Sequence, residues 1–574
     1  MPMSSRLKVS VGQHSDKGRK AANQDFHACY LPCEPLLSLK GVAFAMADGI
    51  SSSELSHIAS ETAVTNFLDD YFCTSDAWSV QNAVQRVVTA CNAWLYSQTM
   101  NSPYRYDKDK GYVCTLSALV IKSTRAHIFN AGDTRIYRVH GRGLEQLTND
   151  HRLWVSQQQS HLSRALGVES RIELDYQSRP LSLGDIYILA TDGVYEHADT
   201  GFILNSIETS SDLDAAARDI VEHALERGSE DNLSIQIVRI DALPQPGSNP
   251  LHLEAEQLEL PPILAQGARF DGYKILRELH ATSRSHVYLA LDEATDTRVV
   301  LKIPSIDLRG DPAYLERFLM EEWTARRINN THVLKAGPQS RPRQYLYTVM
   351  EFIEGQTLKQ WLVDNPRPEL ETVRGIVEQI AKGLQALHRM EILHQDIKPD
   401  NIMIDSSGTV KIIDFGAARV AGIVEADLAL EQDDILGTAL YTAPEYFMGE
   451  VGTTCSDLYS LGVLTYHMLS GAFPYANQVS KSRTAAAQRR LQYGSILHDE
   501  REIPAWIDET LRKAVHPNPY KRYQELSEFM ADLRQPNRQF LNRTRPPLLE
   551  RNPVRFWQGI SVVLAGIIVV LLNR

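Results

Sequence analysis

Four short stretches in the first 240 residues set an aspartate against glycine or asparagine at the edge of an apolar run. They are NQDF with Asp25, MADGI with Asp48 and Gly49, ATDGV with Asp192, and EDNLSI with Asp231. Carboxylates gathered at strand ends suit a hard divalent cation, because Mg2+ and Mn2+ take carboxylate, carbonyl and water oxygens in octahedral shells. Two such ions about 4 Å apart can share a hydroxide and direct it at a phosphoryl group. A single Asp-Gly is more often only a turn. The ordered set of four carries the signal.

The elements that must hold these aspartates are strand-like runs (GVAFAMAD, TLSALVI, AHIFNAGDTRIYRV, DIYILATDG, LSIQIVRI) alternating with helical ones such as SELSHIASETAVTNFLDDYF. In order, and with AGDTRIYRV, LTNDH and SRALG, they resemble the metal-dependent protein phosphatases of the PPM (type 2C) family over about residues 5 to 240. The resemblance implies an α-β-β-α sandwich and a binuclear Mg2+ or Mn2+ centre held by Asp25, Asp48, Asp192 and Asp231, with the Gly49 carbonyl adding an oxygen. It further implies that Asp133 and Asp192 hold a third ion. Lys20 stands where the family has a phosphate-binding arginine. It keeps the charge but lacks the bidentate fork. The family's glycine-rich stretch after the second aspartate is ISSSE here.

From about Phe270 to Arg534 a second ordered set resembles the bacterial serine/threonine protein kinases related to eukaryotic ones. The resemblance implies a bilobal kinase fold using ATP with Mg2+. Lys302 in VVLKI would contact the α- and β-phosphates and pair with Glu321, with Glu322 as the competing register. TVMEFIEG reads as the hinge, with Met350 as gatekeeper and the Glu351 and Ile353 backbones facing adenine. In ILHQDIKPDNIMI, Asp396 would accept or orient the substrate hydroxyl proton, Lys398 would steady the γ-phosphate, and Asn401 would bind a second Mg2+. Asp414 of IIDFGAA would bind the main Mg2+. Glu445 of GTALYTAPE would pair with Arg522, and Asp457 would be buried.

Three departures bear on this second site. His280, Thr282 and Ser285 replace the glycines that let a loop approach phosphate closely. Forcing non-glycine residues into left-handed geometry costs about 1 to 2 kcal/mol each, so another loop conformation is expected. Val300 replaces the usual alanine over adenine and adds two methyl carbons there. Gln395 replaces the arginine that answers an activation-segment phosphate in the family. Because the lysine, the base and both metal ligands remain, an active kinase with reduced ATP affinity is expected. The alternative is an active phosphatase regulated or targeted by a pseudokinase.

The chain's 574 residues exceed one core, and its 43% hydrophobic and 23% charged content is that of an ordinary globular protein. A net charge of −12 argues against a nucleic-acid surface. The six cysteines show no zinc-ligand or CxxC spacing, as expected of idle thiols in a reducing compartment. Five prolines between residues 240 and 273 mark a linker. The expected division is a phosphatase domain over 1–240, a linker over 241–269, a kinase domain over 270–535, a basic juxtamembrane segment over 536–555 and a transmembrane helix over 556–572. The last rests on the uncharged FWQGISVVLAGIIVVLL after an arginine-rich stretch. The whole reads as a bifunctional signalling enzyme acting on protein Ser/Thr sites, bacterial, anchored in the inner membrane by its tail with both catalytic domains cytoplasmic.

Overall fold

The computed structural model describes residues 6–156, 159–244, 258–282, 285–305, 312–337, 341–425, 439–497, 503–543, 557–558 and 560–561. The chain divides into two compact units, Met1–Gln257 with Val420–Glu431, and Leu258–Arg419 with Gln432–Arg574.

The first unit is built on strands β1 (Lys8–Asp16), β2 (Phe26–Tyr30), β3 (Val42–Ala47), β4 (Leu116–Lys122), β5 (Arg125–Ala131), β6 (Arg135–His140), β7 (Gly143–Gln146), β8 (Arg152–Ser156), β9 (Gln159–Leu162), β10 (Asp175–Pro180), β11 (Ile186–Ala190) and β12 (Leu233–Ala242). Two five-stranded antiparallel sheets run β1-β12-β11-β6-β7 and β10-β5-β4-β3-β2, while β8 and β9 form a hairpin apart from both. Its helices are α1 (Leu36–Lys40), α2 (Ser56–Cys73), α3 (Val80–Asn101), α4 (Asp192–Tyr195), α5 (Thr200–Thr209) and α6 (Leu213–Glu226).

The layering follows from side-chain size along β3. Successive residues of a strand point to opposite faces, so the large Phe44 and Met46 pack with Leu119, Ile128, Tyr187 and Val238 between the sheets. The small Ala43, Ala45 and Ala47 face the other way, where they admit Phe67, Tyr71, Val84 and Leu95 of α2 and α3. On the opposite sheet, Ile188, Ile235 and Ile237 meet Ile220, Val221 and Ala224 of α6. Each large side chain so buried contributes about 1.5 to 3 kcal/mol. The result is helix, sheet, sheet, helix, with the strand ends open at one edge.

The second unit begins with an antiparallel sheet of β13 (Arg269–Phe270), β14 (Tyr273–Ala281), β15 (Ser285–Asp292), β16 (Thr297–Pro304) and β17 (Thr348–Glu351), in that order. Residues 258–269, at the end of the proline-rich stretch, are ordered on this sheet. The Glu259 carbonyl accepts from the Leu346 amide at 2.7 Å, and Leu264 joins the core of Tyr273, Tyr288, Val299, Leu301 and Tyr347.

The rest is mainly helical, with long helices at Leu370–Arg389 and Thr454–Ser470 and a small sheet of Gly355–Thr357, Ile402–Asp405 and Val410–Ile412. Helix Thr454–Ser470 starts on a capping box between Thr453 and Ser456 and stops at Gly471, whose φ of 70° suits a residue without Cβ.

Among the described residues no helix is long and apolar enough to cross a membrane. Most of the run from 556 to 572, expected as a transmembrane helix, lies outside the described residues, as does most of the juxtamembrane segment.

Candidate active sites

In the first unit the aspartates come together at the open edge of the sandwich. Asp25 precedes β2, Asp48 follows β3, Asp192 opens α4 after β11, and Asp231 precedes β12. The loops that carry them are tied to one another. The Gln24 amide donates to Asn232 Oδ1 at 2.9 Å, the Gly49 amide to the Gln24 carbonyl at 3.1 Å, and the Asp48 amide to Thr115 Oγ1 at 2.8 Å. Thr191 Oγ1 donates to Asp25 Oδ2 at 2.9 Å. Two glycines make room. A Cβ on Gly49 would sit 2.7 Å from the Gln24 carbonyl oxygen, and one on Gly193 only 2.1 Å from that of Asn232. The glycine of each Asp-Gly pair thus lets one aspartate loop lie against another.

Electrostatically, burial and carboxylate repulsion dominate the cluster. Burial, with the neighbouring carboxylates adding to it, raises the Asp25 carboxyl to about 6 and the Asp192 carboxyl to about 7. Asp48 is pushed well above its ordinary value by burial and then by Asp25, Asp192, Asp133 and Asp231. Asp25 Oδ1 is buried without a hydrogen-bond partner. Mutual repulsion and an orphaned carboxylate oxygen are what bound divalent ions relieve, so this donor set fits a binuclear centre.

Among the described residues no three His, Cys, Asp or Glu side chains close on one point as a ready cage. Two basic side chains occupy carboxylate oxygens instead. Lys20 Nζ lies 3.2 Å from Asp231 Oδ1 and donates to Ser51 Oγ at 3.0 Å. Arg152 bridges Asp133 and Asp192, and its Nη1 donates to Glu196 Oε1 at 3.0 Å. The pair expected to hold a third ion is therefore occupied by a guanidinium. Arg152 and Glu196 were not among the residues singled out by sequence, since neither lies in a stretch with a metal-ligand pattern.

In the second unit, alternation along β16 sets the site. Val299, Leu301 and Ile303 are all buried in the sheet core. Val300 and Lys302 therefore share the other face. Lys302 Nζ donates to Glu321 Oε2 at 2.5 Å and lies 4.0 Å from Asp414 Oδ1. Burial favours the neutral amine, but these two carboxylates outweigh it and raise the Lys302 pKa. Glu322 turns away to pair with Arg326 and Arg343. The structure thus assigns the lysine's partner between two adjacent glutamates.

Lys398 and Asn401 converge on Asp396. Lys398 Nζ donates to Asp396 Oδ2 at 2.7 Å, and Asn401 Nδ2 donates to the same oxygen at 2.9 Å and to the Asp396 carbonyl at 2.8 Å. Buried Asp457 fixes the loop from beneath, accepting from the His394 and Gln395 amides, each at 2.9 Å, and from His388 Nε2 at 2.9 Å. Gln395 holds a φ of 66°, and these bonds offset the strain of that conformation. Asp414 accepts from the Gly416 amide at 3.0 Å. Although burial pushes its carboxyl up, Lys302 and that amide hold it below the ordinary value.

Met350 is buried in β17, and Ile353 is buried just beyond it. The Glu351 side chain accepts from Lys411 Nζ at 2.7 Å, and its amide donates to the Lys335 carbonyl at 3.0 Å.

Hydrogen bonds link Thr282 and Ser285 where β14 leads to β15. The Thr282 amide donates to the Ser285 carbonyl at 2.9 Å, and the Ser285 amide to Thr282 Oγ1 at 3.0 Å. His280 pairs with Val287 within the β14–β15 ladder. None of His280, Thr282 or Ser285 has a positive φ. His280 and Ser285 thus lie within the strands, and none of the three substituted residues takes left-handed geometry.

Residues 13–237 match the family model Protein phosphatase 2C, and residues 273–533 match Protein kinase domain. The chain is 29% identical over 269 residues to the serine/threonine-protein kinase PrkC of Bacillus subtilis (strain 168), covering 47% of this chain and 41% of that one. It is 33% identical over 265 residues to the serine/threonine-protein kinase PknL of Mycobacterium bovis (strain ATCC BAA-935 / AF2122/97), covering 46% and 64%. The chain thus spans about half the length of the curated relatives it matches, and these relatives are bacterial. A crystal structure of the Mycobacterium tuberculosis serine/threonine phosphatase PstP/Ppp is 21% identical and superposes with a TM-score of 0.35, over 41% of this chain and 99% of that one. A TM-score that low adds nothing to the assignment. On the two family matches, the chain joins a phosphatase 2C domain, of a kind that uses Mg2+ or Mn2+, to a protein kinase domain, of a kind that uses ATP with Mg2+.

Proposed function

We propose that both domains are catalytically active on protein Ser/Thr sites, so that one chain adds and removes phosphate. The observation that carries this reading is the completeness of the kinase site. Lys302, Glu321 and Asp414 are connected on one side, and Asp396, Lys398 and Asn401 on the other. In this reading Lys302 binds the α- and β-phosphates, the Glu351 and Ile353 backbones receive adenine, and Asn401 and Asp414 hold Mg2+. Asp396 orients the substrate hydroxyl and takes its proton, while Lys398 neutralises charge on the transferred group. Linkage in one chain raises the effective concentration of each domain for a shared substrate.

For the phosphatase, Asp25, Asp48, Asp192, Asp231 and the Gly49 carbonyl are the proposed holders of two Mg2+ or Mn2+ ions, and Lys20 receives the substrate phosphate. When bound, such ions acidify water and neutralise phosphoryl charge. The chain's own contribution is to fix the carboxylates through the Gln24–Asn232 and Thr191–Asp25 hydrogen bonds. A phosphothreonine peptide tests this half. Its hydrolysis should require Mn2+ or Mg2+, stop with chelator, and be lost in Asp48→Asn. Hydrolysis that survives both would overturn it.

A tail anchor belongs to the same proposal, supported by the uncharged run from Phe556 to Leu572 behind Arg543, Arg545, Arg551 and Arg555. It would hold both domains at the inner face of a bacterial membrane. The hydrogen bonds between Thr282 and Ser285 favour one competing reading, in which the second unit binds partners or nucleotide without transfer and regulates the phosphatase.

A further inference from the structure

The site of the expected third ion is the point at which the first unit departs from the arrangement its resemblance implies. Arg152 stands at the start of β8, immediately after His151. Its three donor positions each go to a different carboxylate: Nε to Asp133 Oδ2, Nη2 to Asp192 Oδ2 at 2.7 Å, and Nη1 to Glu196 Oε1 at 3.0 Å. The Arg152 side chain is only 16% exposed and that of Asp133 only 7%, so the guanidinium lies within the site and does not merely brush its rim. Glu196 is four residues beyond Asp192, just past α4, which brings it to the same side as Asp192.

The surroundings keep this arrangement in place. Tyr195 donates its hydroxyl to the Asp133 carbonyl at 3.1 Å, and its ring lies 3.8 Å from the Arg135 guanidinium. Arg135 in turn forms a fork with Asp150, two residues before Arg152. The planar fork suits several carboxylates at once, and each bond is charge-assisted. A divalent ion between Asp133 and Asp192 would have to displace both Nε and Nη2 and leave a part-buried guanidinium with Glu196 alone.

We propose that Arg152 occupies the third cation position permanently, so that the phosphatase works with two exchangeable metal ions and one built-in positive charge. This rests on the binuclear reading above. It makes Arg152 a positioning residue: it holds Asp192, shared with the binuclear set, in one orientation and moors the β8–β9 hairpin to the site. The Asp133 carboxylate then serves an arginine in this chain rather than an ion, while Asp192 serves both the arginine and the binuclear set.

The test is Mn2+ stoichiometry by equilibrium dialysis and elemental analysis, on the full chain and on the Arg152→Ala, Glu196→Gln and Arg152→Ala/Asp133→Asn variants. Expected are two Mn2+ per phosphatase domain in the native chain and a third, weaker one in Arg152→Ala. That third ion should be lost again in Arg152→Ala/Asp133→Asn. Glu196→Gln, which only loosens the guanidinium, should show third-site occupancy at a higher Mn2+ concentration than Arg152→Ala needs, and it keeps the test decisive if Arg152→Ala misfolds. Three Mn2+ in the native chain, or two in both Arg152→Ala and Glu196→Gln at saturating Mn2+, would overturn the proposal. No Mn2+ in any of the four would overturn the binuclear reading itself, a result distinguishable from either of those.

Discussion

The Lys302 ammonium lies 2.5 Å from the Glu321 carboxylate and 4.0 Å from that of Asp414, so one cation ties the sheet, the helix Pro312–Arg327 and the Asp-Phe-Gly turn together. This connection is the one a phosphoryl-transfer site requires before nucleotide arrives. Replacing the lysine by a neutral side chain of similar length leaves two carboxylates facing each other. Lys302→Met should therefore lower phosphoryl transfer by at least about 100-fold while the phosphatase activity of the same chain is retained. Parallel assays of both activities on one preparation check this.

Val300 shares with Lys302 the face of β16 turned away from the sheet core. Trimming it to alanine removes two methyl carbons where a base would lie, and relief of roughly 1 kcal/mol of crowding corresponds to about a 5-fold lower KM for ATP. Val300→Ala should show that fall with kcat little changed. An unchanged KM would mean that the base does not reach this residue.

Arg522 and Glu445 form a buried fork, with Nη1 to Oε1 at 2.8 Å and Nη2 to Oε2 at 2.7 Å, and the arginine also donates to the carbonyls of His516, Cys455 and Pro517. Removing one partner strands a buried charge, so Arg522→Ala should destabilise the second unit by about 3 to 5 kcal/mol in urea denaturation. Although burial raises the Glu445 carboxyl, Arg522 pulls it below its ordinary value. A depressed carboxyl contributes stability that is present above its unfolded pKa and disappears as pH falls through the folded one. The cost of Arg522→Ala should therefore shrink in acid.

The phosphatase cluster responds to pH in the opposite sense. In the ion-free site burial and repulsion raise Asp25 to about 6 and Asp192 to about 7. Raised carboxyls favour the ion-free fold when protonated, and that contribution is lost as pH rises through these values. Metal ions need the carboxylates. The rise in Tm on adding Mn2+ should be large at about pH 8 and small at about pH 5.5, with protons released on binding. A pH-independent rise would contradict the ligand set.

Much of the architecture is legible in the chain because local pattern and tertiary demand agree. The small-large alternation of VAFAMA states which face meets helices and which meets the other sheet, and Asp-Gly pairs mark the loops that must approach one another. What the sequence does not show is what depends on distant partners. Arg152 reaches carboxylates 19, 40 and 44 residues away, and no periodicity links them. Glu321 is the expected partner of Lys302 over Glu322, and the structure supplies the reason, since Arg326 one turn on and the more distant Arg343 claim the second glutamate. The ordering of residues 258–269 on the second unit was hidden by the prolines before and within it, which read as linker.

The second unit, whose β14–β15 connection lacks the family's glycines, is proposed to transfer phosphate nonetheless. The most direct measurement follows labelled γ-phosphate from MgATP to the chain and to a generic protein substrate, in Asp192→Asn so that the phosphatase does not erase the signal. The same experiment is run with Asp396→Asn added. Transfer by the first variant that falls by about 100- to 10,000-fold in the second is the predicted result. Folded protein that transfers nothing at saturating ATP in either variant would contradict the claim and leave the second unit as a regulator of the phosphatase.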